Sequence, residues 1–166
     1  MSKFLFILLF TFNLSSAADI PSINVIRSLH QKAAREEKYC KELIDLLEQY
    51  NDGNQPLLLG YKGSATMMKA KYARDPFSKL SYFGKGKNML EKAITADENN
   101  TELRFLRLAA QANAPSFLGY DDKINSDKSF LLNSVAKLTD SVLKKTVVLY
   151  LKSSGLLTND QKSKLQ

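Results

Sequence analysis

The chain has 166 residues, 44% hydrophobic and 25% charged, with 24 Lys and Arg against 17 Asp and Glu. That is the size of one domain with enough apolar residues for a core. One Cys excludes an internal disulfide framework and a thiolate zinc cage, and one His excludes a multi-His metal site. No metal and no cofactor is therefore expected.

The first segment reads as an export signal. Met1-Ser2-Lys3 is a short positive start, Phe4 to Phe12 is apolar apart from Thr11, and Ser15-Ser16-Ala17 supplies the small residues of a cleavage site. The run falls short of the roughly 20 residues a membrane-spanning helix needs. The expectation is a cleaved signal peptide at residues 1–17, cut after Ala17 or Ala18, and a single all-helical domain over 18–166. The protein would then be periplasmic or secreted.

The remaining sequence reads helix after helix. Ser22 offers a cap for a helix over roughly 23–50, with Leu29, Ala33, Cys40, Leu43, Leu47 and Tyr50 on one stripe. Asn51-Asp52-Gly53-Asn54 is a dense turn signal. Pro56 suits the first turn of a second helix, running to about Ala73. Asp75-Pro76 opens a third, over 76–96, expected to bury Phe77, Leu80, Phe83, Leu90, Ala93 and Ile94. Asn100 or Thr101 opens a fourth that Asn113-Ala114-Pro115 closes. A fifth covers roughly 122–137, and Thr139 or Asp140 caps a sixth that Gly155 ends. Thr158 to Gln161 is a capping-box pattern for a short last helix. No stretch alternates with period two for long enough to be a strand. The fold class is all-α, antiparallel helical hairpins stacked as a short bundle or solenoid.

Gly86, Leu90 and Ala93, followed by Ala93 to Asn100, resemble half a tetratricopeptide repeat at 86–100, with Glu98 where that family usually has Pro. Gly60-Tyr61-Lys62-Gly63, Phe83-Gly84-Lys85-Gly86, the 102–107 stretch and Asn113-Ala114-Pro115, in this order, resemble a group of small exported bacterial proteins with no known activity to carry over.

Chemistry-bearing residues are few. Arg104 and Arg107 sit three apart on an apolar helix, so their heads need partners. They would fork onto a ligand carboxylate or phosphate, or pair internally with Glu102, Asp121, Asp122 or Asp127. Tyr120, Asp121 and Asp122, in the loop after Pro115, are expected beside them. Arg104, Arg107, Tyr120, Asp121 and Asp122 are therefore the candidate binding residues, with no catalytic residue. Gly84-Lys85-Gly86-Lys87 lacks the spacing of a phosphate loop, and its glycines, with Gly60 and Gly63, point to a close helix crossing. Cys40 reads as a small buried hydrophobe, with pairing between chains left open, and His30 as a surface or edge residue.

From Ala18 to Asp122 basic and acidic residues nearly balance, whereas Lys123 to Gln166 holds eight Lys and three Asp. No Arg-rich or aromatic-interleaved strip argues for nucleic acid. The expected function is that of an exported, non-catalytic helical module binding a protein or peptide in the cell envelope. The alternatives are weak contact with an anionic envelope surface through the basic C-terminal part, and a carboxylate-dependent hydrolase.

Overall fold

The computed structural model describes residues 21–50 and 55–165. The signal expected at 1–17 and the turn signal at Asn51 to Asn54 lie outside the described residues. Among the described residues the fold is all-α. The helices are α1 Ile23–Ala33, α2 Glu37–Glu48, α3 Pro56–Tyr72, α4 Pro76–Ala96, α5 Thr101–Asn113, α6 Ile124–Ser134, α7 Ser141–Ser153 and α8 Asn159–Ser163. Single 3-10 turns lie at Ser116–Leu118 and Val135–Lys137.

Local chemistry sets most of these boundaries. The Asp75 side chain accepts Ser78 N–H at 2.8 Å, and Pro76 takes the first helical position. Asn100 Oδ1 accepts the N–H groups of Glu102 and Leu103 at 3.0 and 3.1 Å. Asp140, rather than Thr139, caps α7 by accepting Leu143 N–H at 2.9 Å. Thr158 and Gln161 form the reciprocal capping box. Gly155 follows α7 in the left-handed region, φ 76°. The Ser22 side chain makes no capping bond.

The helix expected over 23–50 is two helices. The spacing from Ala33 to Cys40 is seven, so the apolar stripe stays in phase across the break and hides it. The cause is tertiary. Tyr72 OH donates to Ala33 O at 3.0 Å and Lys71 Nζ to Ala34 O at 3.3 Å, so two α3 side chains take carbonyls that a continuing helix would use. Glu36 is extended, and α2 starts afresh after it.

Helix α3 buries residues on nearly every side, from Leu58 to Met67, and is the central helix. It crosses α4 at backbone contact. A Cβ added at Gly63 would stand 2.7 Å from both Gly86 O and Leu90 N, and one at Gly86 would meet Met67 N at 2.6 Å. Both obstacles are backbone, so any side chain there would force the helices apart. Gly84, by contrast, faces open space.

Two apolar clusters result. One joins α1 to α5 through Ile26, Leu43, Leu47, Leu90, Leu103 and Leu106. The other joins α5 to the C-terminal helices through Phe105, Leu108, Leu131, Val147 and Leu151. Helix α5 feeds both from opposite faces. The expected burial of Phe77 and Leu80 is corrected: they are 84% and 52% exposed. The first turns of α4 extend beyond the α3 crossing, where no described helix covers them. Among the described residues no helix is long and apolar enough to cross a membrane.

Candidate functional site

Helix α5 carries two charges that the fold buries, one in its first turn and one at its middle. Near its start, Glu102 is 3% exposed. Two features hold a carboxylate there: the Asn100 cap fixes the first turn, and the helix N-terminus favours negative charge. Arg27 of α1 grips it with a two-pronged fork, Nε to Oε1 at 2.6 Å and Nη2 to Oε2 at 2.7 Å. Its remaining nitrogen, Nη1, donates to Asp140 at 2.7 Å and to Asn24 at 3.1 Å. Tyr61 OH of α3 also donates to Glu102 Oε1. The bond to Glu102, opposed by burial and supported by Asp140, holds the Arg27 pKa above its ordinary value. Burial, then the Glu102 charge, raises that of Tyr61.

Five residues along α5, Arg107 makes the mirror arrangement. Its Nε and Nη2 fork onto Asp127 of α6 at 2.7 and 2.9 Å, and its Nη1 reaches Glu91 of α4 at 2.7 Å. The other Glu91 oxygen accepts Tyr120 OH at 2.6 Å. Burial opposes the Arg107 charge, but the bonds to Asp127 and Glu91 outweigh it and raise its pKa. Burial, with the Glu91 bond, raises Tyr120. The Tyr120 ring meets Phe83 edge-on at 5.8 Å and has Lys87 Nζ 4.9 Å from its centre.

Arg104 plays a lesser part. Its Nε lies 2.6 Å from Asp127 Oδ1, but the N–H is not aligned for a hydrogen bond, and the guanidinium stacks 4.8 Å from the Phe130 ring centre. Asp127, wholly buried, thus faces two arginines.

The five candidate residues are only partly brought together. Arg107 and Tyr120 share Glu91, and Arg104 joins them through Asp127. Asp122 instead accepts Gln111 Nε2 at 3.2 Å and lies 3.4 Å from Lys123. Asp121 is exposed and gives its backbone carbonyl to Ile124 N–H at 3.3 Å. The Asp122 carboxylate and the Asp121 backbone carbonyl therefore hold the loop, and the arginines pair with Asp127 and Glu91. Buried Gln111 binds both Asp122 and Lys123 N–H, pinning the α5–α6 connection to α5.

Sequence reasoning missed the Arg27 cluster. One signal was available: residues two apart on a helix do not face each other, so Glu102 cannot pair with Arg104 and needs a partner from elsewhere. Arg27, beside Ile26 on the buried side of α1, was that cation.

His30 is only partly exposed. Its Nε2 is 2.8 Å from Ser64 Oγ, and its ring meets Tyr61 edge-on at 5.1 Å. Burial pushes its pKa down to about 4. A Ser–His contact suggests nucleophilic chemistry, but this base is poor at neutral pH and Ser64 is 4% exposed in mid-helix. Cys40 is 1% exposed, donates to Ala65 O at 3.2 Å, and is pushed up to about 11 by burial. It is a core residue, closed to pairing between chains in the folded protein. Shallow depressions lie along Asn24, Ser28 and Lys32, at the edge of the Arg27 cluster, and along Lys38, Asp45 and Gln49. Among the described residues no three His, Cys, Asp or Glu side chains group as metal ligands. No family model, no curated protein and no solved structure matches the chain.

Proposed function

We propose that the protein is a non-catalytic helical module that works by presenting surface to a partner protein or peptide, exported to the cell envelope. The observation that carries the reading is the fate of the arginines. Arg27 and Arg107 spend both prongs on internal carboxylates, so the strongest ligand-gripping groups serve as clamps within the helix pack. What the surface offers instead is large apolar side chains, among them Phe117 at 80% exposure on the α5–α6 connection. Lys3, the Phe4–Phe12 run and Ser15-Ser16-Ala17 support export.

The test is photo-cross-linking in the cell from a photoreactive phenylalanine analogue at Phe117, beside a control at exposed Lys152. One discrete adduct from Phe117 and none from Lys152 is the expected result. Random adducts from both sites would overturn the reading. A nucleophilic hydrolase, distinct from the carboxylate-dependent one expected from the sequence, would rest on the His30–Ser64 contact. A fluorophosphonate probe that labels wild type, but not Ser64→Ala, would establish it.

A further inference from the structure

We infer that the tip of the α3–α4 hairpin docks on an anionic lipid surface, with Phe77 and Leu80 entering the bilayer interface. Phe77 is the second residue of α4 and Leu80 lies one turn on, exposed by 84% and 52%. Gly84, one further turn along the same face, would meet nothing within 4 Å if it carried a Cβ. Among the described residues, this face therefore has no neighbour in the helix pack.

Charge selects the occupant. From Lys69 to Lys87 the chain has six basic residues, Lys69, Lys71, Arg74, Lys79, Lys85 and Lys87, and one acid, Asp75. Asp75 is engaged as the α4 cap. The near balance of residues 18–122 conceals this concentration, because the acids lie elsewhere. Lys69 and Lys71 rest on the Tyr82 and Tyr72 rings, at 4.7 and 5.6 Å from their centres. Tyrosine and lysine are the residues that sit at headgroup level around an inserted apolar tip. Lys85 lies roughly 12 Å along the helix from Phe77 at 1.5 Å per residue, a headgroup distance when the tip is buried about 5–10 Å.

Area argues for lipid over protein. Two such side chains offer at most about 300 Å². A specific protein interface needs about 1,000 Å² or more, whereas an interfacial anchor needs only a few apolar side chains and cations. The inference adds a membrane seat to the interaction module proposed above. It uses different residues, so either can fail alone.

The experiment uses the protein as its host cell processes it, with vesicles of phosphatidylcholine containing one-quarter phosphatidylserine. Wild type should bind these, bind pure phosphatidylcholine far more weakly, and release as salt rises from about 0.1 to about 0.5 M, where the Debye length shrinks to about 4 Å. Phe77→Ser with Leu80→Ser should lose about tenfold or more of the binding, with unchanged circular dichroism and melting, since neither residue is buried. The chain has no tryptophan of its own, so the fluorescence of Phe77→Trp reports on the tip alone, and it should blue-shift on the anionic vesicles. Lys144→Glu with Lys145→Glu, in the basic C-terminal part, should bind as wild type. An unshifted emission from Phe77→Trp, a double serine variant that binds like wild type, or loss of binding only in the C-terminal variant would overturn the inference. So would a solution dimer broken by the serine pair, or a tip that binds a polyglutamate peptide but not the vesicles.

Discussion

The two arginine clamps share a plan and differ in redundancy. Each places a guanidinium fork on a buried carboxylate and adds a tyrosine and a second carboxylate. In the first, Arg27 is the one cation among the described residues bonded to Glu102, and the pair ties α1 to α5 and to the cap of α7. In the second, Asp127 faces both Arg107 and Arg104, and the ties run from α5 to α6 and α4. Both clamps bridge the seam between the two apolar clusters. A buried charge with one partner is hostage to it, whereas one with two retains compensation when either is lost.

That difference sets the order of the expected effects. Arg27→Met strands Glu102 and should cost about 3–5 kcal/mol by denaturant or thermal melting. A melt close to wild type would show that Glu102 takes up a proton or water at little cost. The second effect concerns acid. The folded pKa of His30, about 4, lies below its unfolded value. The unfolded chain therefore takes up the proton first. Stability contributed here is complete above about pH 6.5 and is lost as the pH falls towards 4, by up to about 3 kcal/mol. His30→Gln should flatten that part of the profile.

Arg107→Met comes next, at about 2–3 kcal/mol, because Arg104 still faces Asp127. Arg104→Met should cost under about 1 kcal/mol, its side chain being 19% exposed and poorly aligned. Equal losses for these two would mean that Asp127 depends on both. Asp140→Asn, whose side chain is 40% exposed, should cost least, about 0.5 kcal/mol, as asparagine still caps α7.

The capping residues made most of the fold legible in the sequence. Asp75-Pro76, Asn100 and Thr158 act within three residues of themselves, so their signal needs no tertiary knowledge. The glycines were nearly as informative: Gly63 and Gly86 meet as expected, although Gly84 does not take part. The break after Ala33 was illegible because its causes, Tyr72 and Lys71, lie almost forty residues away. The burial of Phe77 failed for a related reason. Periodicity identifies a face, but not whether a neighbouring helix extends far enough to cover it. At the candidate site, the need of Arg107 for a nearby carboxylate was legible, and Asp127 was among the possible partners. Arg27 and Glu102, 75 positions apart, could be matched only once the fold had brought them together.

Helix α5 gives its two faces to different clusters, and this bears on how the protein opens. If α6 to α8 detached, Phe105 and Leu108 would be exposed along with the Asp127 fork. If α1 to α4 detached, Leu103 and Leu106 would be exposed along with the Glu102 fork. Neither half can leave without stripping the helix on which the other rests. The amides of α5 should therefore be among the last to exchange with deuterium, at a rate set by whole-molecule unfolding. Two cores joined in this way melt as one.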